Sequence, residues 1–123
     1  MTRSEAAAQA GGESRPRRQF VNFAFYRVDP AWRRLPAMER EAGKKEFKAV
    51  VEEFAPRMLV LPYTTVGIRA DADLMLWRIA DDLDLLQRMA TRLLVTGLGS
   101  YLAPAYSYLA MSKRSIYVDK LDP

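Results

Sequence analysis

Aspartates fall in two short runs, Asp71 and Asp73 in RADADL and Asp81, Asp82 and Asp84 in ADDLDL, a spacing that could serve a hard cation. A calcium loop also needs a turn glycine and a terminal glutamate, and neither run supplies them. Asp81 or Asp82 has a competing task, because a carboxylate just ahead of an apolar-periodic stretch caps a helix. Trp32-Arg33-Arg34 could clamp an anion at a helix start, although Trp32 packed beneath the helix with both arginines in solvent is the plainer reading. Gly97-Leu98-Gly99 neither follows a strand nor opens a helix, so it marks a helix C-terminus and not a phosphate loop. The strongest chemical statement is an absence. The 123 residues include no histidine and no cysteine. The commonest metal ligand, the one side chain that titrates unperturbed near neutrality, and the thiolate of covalent catalysis are therefore all missing.

The chain is long enough for one domain with a real core and no disulfides. Its charge of +4 is half carried by residues 1–18, where Arg3, Arg15, Arg17 and Arg18 face only Glu5 and Glu13. Elsewhere bases interleave with acids, as in EREAGKKEFKAVVEEF, which is the pattern of a solvated helix face; with no basic stripe, no nucleic-acid partner is expected. No apolar run approaches the roughly 20 residues of a membrane span. No cysteine and no apolar leader suggest a cytoplasmic protein.

Residues 1–18, rich in Ala, Gly, Ser and Arg, are expected to be a disordered tail. QFVNFAFYRV then reads as a strand apolar on both parities, with Phe20, Ala24 and Tyr26 on one face and Val21, Phe23 and Phe25 on the other. Asp29-Pro30 is a helix start, with a short first turn separated by Pro36 from a main helix. Its apolar stripe is Met38, Ala42, Phe47, Val50, Val51 and Phe54, ended by Pro56. RMLVLPYTTVGI is a second strand, placed at an edge by Pro62. LMLWRIA is a third, with Met75, Trp77 and Ile79 alternating with Leu74, Leu76 and Arg78. A second helix buries Leu83, Leu86, Ala90, Leu93 and Leu94, and Gly97 or Gly99 can supply the left-handed residue that closes it. The last strand follows Pro104 and runs through YSYLAMSK toward Tyr117.

The order β-α-β-β-α-β is that of a ferredoxin-like α+β fold, a four-stranded antiparallel sheet with two helices on one face. The other face is then apolar and bare, over an area beyond what soluble monomers tolerate. A second sheet must cover it, from another copy or from a second domain, as in a dimeric α/β barrel. If its face is buried in this way, truncating Trp77 costs about 3–5 kcal/mol.

The segments FYRVDPAWRRL, RADADLMLWRIADDLDLLQ and TGLGSYLAPAYSYLAMSKRSIYV resemble the N-terminal half of the chlorite dismutase and coproheme decarboxylase family, over about residues 19–119. The resemblance implies a chain about twice this length, with two ferredoxin-like domains facing each other and five subunits in a ring. Haem or coproheme, its proximal histidine and the distal residue would lie in the C-terminal half. By that resemblance residues 19–118 form the N-terminal domain, chiefly scaffold and subunit contacts, and 119–123 begin a linker. The chain alone would be inactive, and the complete protein a haem-dependent oxidoreductase or decarboxylase. A tyrosine of the PAYSY strand would approach a porphyrin propionate, which transfers to Tyr106 or Tyr108, with Lys113 as a further candidate. A phenol donates to a carboxylate at little desolvation cost and a lysine adds charge; core or rim packing is the competing role for these side chains. Met and Tyr can also be axial iron ligands, but no histidine is present to pair with them.

Two other readings keep the fold and change the function. One is a stand-alone barrel-forming module with a structural or small-molecule-binding role and no haem. The other is a cofactor-free oxygenase, which without histidine would need a strongly shifted carboxylate or tyrosine as its base.

Overall fold

The computed structural model describes residues 18–113. Four strands, β1 (Arg18–Val28), β2 (Leu59–Thr64), β3 (Leu74–Ala80) and β4 (Leu102–Lys113), and two helices, α1 (Ala37–Phe54) and α2 (Leu83–Leu94), follow one another as β1-α1-β2-β3-α2-β4. All pairings are antiparallel and the sheet order is β2-β3-β1-β4. This is the ferredoxin-like arrangement expected from the sequence.

The entry to α1 follows the Asp29-Pro30 signal closely. The Asp29 carboxylate accepts from the Ala31 amide at 2.8 Å, and a 3₁₀ turn spans Pro30–Arg34 before Pro36 opens α1. Helix α2 is capped by Asp82, which accepts from the Asp84 amide at 3.0 Å. Asp84 in its first turn and Arg92 in its last complement the helix dipole.

Both helices lie on one face of the sheet. Ala24 and Tyr26 of β1 and Leu76 and Ala80 of β3 meet Phe47, Val50 and Phe54 of α1 and Leu85, Leu86, Met89 and Leu93 of α2. Leu76, Met89 and Leu93 are fully enclosed, each worth about 1.5–3 kcal/mol of burial.

Two expected stripes are rotated. In α1 the buried line is Gly43, Phe47, Val50 and Phe54, so Met38 and Ala42 are exposed. Position 43 is occupied because the segment after α2 crosses there: a Cβ on Gly97 would stand 2.7 Å from the Gly43 Cα, and Trp32 packs on the same spot. Trp32 therefore lies under α1, against Tyr101, while Arg33 and Arg34 are exposed. In α2 the inner residues include Leu85 and Met89, while Leu83 and Leu94 face outward. Neither Gly97 nor Gly99 is left-handed. Helix α2 ends through Val95 in ordinary helical conformation, and among the described residues only Gly67, in the β2–β3 loop, has positive φ, at 79°.

Strand β2 is an edge strand with Pro62 inside it, as expected, but it stops at Thr64 and leaves Val66 and Ile68 exposed in the loop. Strand β4 starts before Pro104, at Leu102, and takes up that proline beside a register shift at Phe25/Tyr26. Its expected continuation toward Tyr117, the tail before Arg18 and the linker at 119–123 lie outside the described residues.

Candidate functional site

Alternation along the strands sends every second side chain away from the helices. Val21, Phe23 and Phe25 of β1 pair in register with Ile79, Trp77 and Met75 of β3, and the same β1 residues pair with Ala110, Tyr108 and Tyr106 of β4. Leu59, Leu61 and Tyr63 of β2 extend the face beyond β3. The result is an apolar, aromatic surface on which no element of the described chain packs.

Its rings are ordered among themselves. Phe23 stacks on Trp77 with centroids 5.7 Å apart. Tyr106 stacks on Tyr108 at 6.2 Å, and Phe25 meets both edge-on at 6.1 and 6.4 Å. The Trp77 indole N–H is shielded from solvent and finds no acceptor among the described residues.

The β2–β3 loop adds charge at one end of this face. Asp73 holds it to β1, its amide donating to the Tyr26 carbonyl and its carboxylate accepting from the Val28 amide, both at 2.8 Å. Arg69 reaches back over the Phe25 and Tyr106 rings, 4.9 and 5.4 Å from their centroids. The same guanidinium grips Asp71 through two hydrogen bonds of 2.8 and 2.9 Å. That grip, helped by the Tyr106 hydroxyl, holds the Asp71 carboxyl well below the usual carboxylate range. Asp71 in turn raises the Tyr106 phenol above the ordinary tyrosine value, with Arg69 opposing.

Tyr106 and Tyr108 are thus brought side by side on the open face, the first engaged by Asp71 and the second 59 % exposed. Lys113 ends β4 opposite Arg18, and its side chain lies outside the described residues. The aspartates have separate tasks: Asp71 pairs with Arg69, Asp73 ties the loop to β1, Asp82 caps α2 and Asp84 pairs with Arg88 at 2.9 Å.

Beneath the face, on the helix side, sits a polar group that the sequence reading passed over. Arg78 is only 4 % exposed, donates to the Leu86 carbonyl at 3.1 Å and to the Asn22 Oδ1 at 2.5 Å, and burial lowers its pKa. Asn22, also buried, donates through Nδ2 to the Tyr108 carbonyl at 2.9 Å and the Ser107 hydroxyl at 3.1 Å. The available signal was parity: Asn22 and Arg78 are the polar residues at otherwise apolar helix-side positions of their strands.

The arrangement offers an apolar aromatic surface with the exposed Tyr108 phenol and the Asp71–Arg69–Tyr106 cluster at its margin.

A protein-family model described as chlorite dismutase matches residues 40–122. Among solved structures, a mutant chlorite dismutase from Candidatus Nitrospira defluvii aligns with a TM-score of 0.75 at 29% identity, over 83% of this chain and 43% of that one. The chlorite dismutase of the same organism in complex with imidazole gives the same values. A novel haem-binding protein from Thermus thermophilus shares the fold at a TM-score of 0.69 and 23% identity, over 86% of this chain and 50% of that one. The chain therefore spans about half the length, or less, of these solved proteins.

Proposed function

This chain belongs to the chlorite dismutase family, and from that premise we propose that it is the N-terminal domain of a two-domain haem protein, serving as scaffold for a cofactor held mainly by the second domain. One observation carries the reading: the face opposite the helices is continuously apolar and aromatic across β2, β3, β1 and β4. A surface of that kind calls for a second layer, and a similar sheet packed face to face supplies one.

In this reading the phenol of Tyr106 or Tyr108, with Lys113 near the end of β4, meets a carboxylate of haem or coproheme at the margin of the covered face. Haem supplies redox chemistry at its iron when bound, and the present chain contributes no histidine or cysteine to ligate that iron. Its own residues orient and exclude water: the Phe23–Trp77 and Phe25–Tyr106–Tyr108 rings wall the bed, and Arg69 fixes the ring of Tyr106. The activity, an oxidoreduction or a decarboxylation of coproheme, belongs to the complete protein. Several such subunits would assemble, in the cytoplasm.

The intact mass of the native polypeptide in its source cell tests the proposal against the 14.0 kDa of this sequence. A mass about twice as large is expected. A mass of 14.0 kDa, with a stable dimer that binds no hydrophobic dye and shows no Soret band on adding haem, would replace it with a self-assembling module that works without haem.

A further inference from the structure

We infer that Asn22 and Arg78 are positioning residues for Tyr108, setting its phenol for a carboxylate through the backbone of β4; the inference rests on the porphyrin reading above. The buried chain runs from the Leu86 carbonyl of α2 through Arg78 and Asn22 to the Tyr108 carbonyl and the Ser107 hydroxyl. It leaves the core and ends on the stretch of β4 that bears the exposed tyrosine.

Three observations give the chain this task. First, on the helix side the outer half of β4 is held by its ladder to β1 but has little side-chain packing, since Leu109 and Met111 are 53 % and 60 % exposed. The Asn22 amide supplies a restraint there that the core does not. Second, the guanidinium only donates, so the Asn22 Oδ1 must face Arg78 and the Nδ2 must face β4. The reversed amide would set donor against donor at Arg78 and oxygen against the Tyr108 carbonyl. Third, among the described residues Arg78 has no carboxylate partner in its hydrogen bonds, and its Nε is without a hydrogen-bond acceptor. A cation buried without an acid is costly, and its best contact, at 2.5 Å, is spent on orienting an amide.

The test uses the native-length protein and iron-free coproporphyrin as the probe, with the coproporphyrin methyl ester, which has no free carboxylate, as the control. Tyr108→Phe is expected to weaken coproporphyrin about tenfold, the loss of one hydrogen bond to a charged acceptor, and to leave the ester unchanged. Asn22→Asp keeps an oxygen for Arg78, and adds a charge pair with it, but replaces the amide donor that faces Tyr108 with a second oxygen. It should hold the melting temperature yet lose coproporphyrin to the same extent as Tyr108→Phe, with no further loss in the double variant. Ser107→Ala, at an exposed position, provides a second variant that folds in any event, with an expected two- to threefold loss confined to the carboxylate form.

Wild-type coproporphyrin affinity in Asn22→Asp and Ser107→Ala, beside a weakened Tyr108→Phe, overturns the positioning role alone. An unweakened Tyr108→Phe overturns the donor role of Tyr108 and this inference with it.

Discussion

Leu76 and Trp77 are neighbours in β3, and they meet different worlds. Leu76 points to the helices and is fully enclosed by the chain's own residues. Trp77 points the other way, is partly exposed and stacks on Phe23. Both faces of the strand are apolar, so hydrophobicity alone does not distinguish them. The difference is closure: within residues 18–113 one face is covered by the helices and the other is not.

The largest expected effect separates the two faces directly. Leu76→Ala should cost about 2–5 kcal/mol whether or not the open face is covered, since its cavity forms between sheet and helices. Trp77→Ala should cost little in the bare chain, within about 1 kcal/mol, and rise to about 3–5 kcal/mol once a second layer is docked. Chemical denaturation of both variants, alone and in the covered assembly, measures the contrast. Equal losses in the bare chain would mean that the Trp77 side is already closed.

The two-sided character of the strands could be read from the chain because a strand's period is two: Phe20, Ala24 and Tyr26 separate from Val21, Phe23 and Phe25 without any knowledge of the fold. Helix orientation was less legible. Leu83, Leu85, Leu86, Leu93 and Leu94 surround much of α2, so several stripes satisfy a 3.6-residue period and only contact with the sheet selects Leu85 and Met89. Met38 is apolar yet sits off the line defined by Gly43, Phe47 and Phe54, a line set by the later crossing of Gly97. The site was legible only in part. Tyr106 and Tyr108 share a face by spacing, but the meeting of Asp71 and Arg69 with Tyr106 depends on strand register and a loop fold across more than 30 residues. Likewise Asn22 reaches Tyr108 only because β1 and β4 are neighbours in the sheet.

Glycines sharpen the same contrast at intermediate size. On the closed side, a Cβ at Gly99 would lie 1.8 Å from the Leu93 carbonyl oxygen, a backbone atom that cannot step aside. Gly99→Ala should therefore cost about 1–3 kcal/mol or more through overpacking. In the β2–β3 loop a Cβ at Gly67 meets nothing within 4 Å, and the whole penalty is the positive φ, about 1–2 kcal/mol. Thermal melts of the two alanine variants should rank Gly99 as the more damaging. The reverse order would show that the turn after α2 yields more easily than the contact of Gly99 with the Leu93 carbonyl suggests.

The smallest effect is a difference between two tyrosines, one on each face. Tyr26, on the closed side, is raised above the ordinary tyrosine value chiefly by burial, with Arg78 pulling it back. Tyr106, on the open side, is raised chiefly by its hydrogen bond to the Asp71 carboxylate. A raised phenol costs nothing while it stays protonated, so both contributions leave stability unchanged below about pH 10 and reduce it as pH climbs from there through the folded values. Salt separates them, because ions reach an exposed pair and not a buried ring. Ultraviolet titration in high salt should bring Tyr106 down toward the ordinary value and leave Tyr26 in place, and Asp71→Asn should lower Tyr106 in the same way without salt. Covering the open face should abolish the salt effect on Tyr106, for then its pair with Asp71 is shielded as Tyr26 already is. A Tyr106 titration indifferent to salt in the bare chain would mean that the end of the face near Arg69 is already closed, and would move the boundary between the two faces from the sheet to the β2–β3 loop.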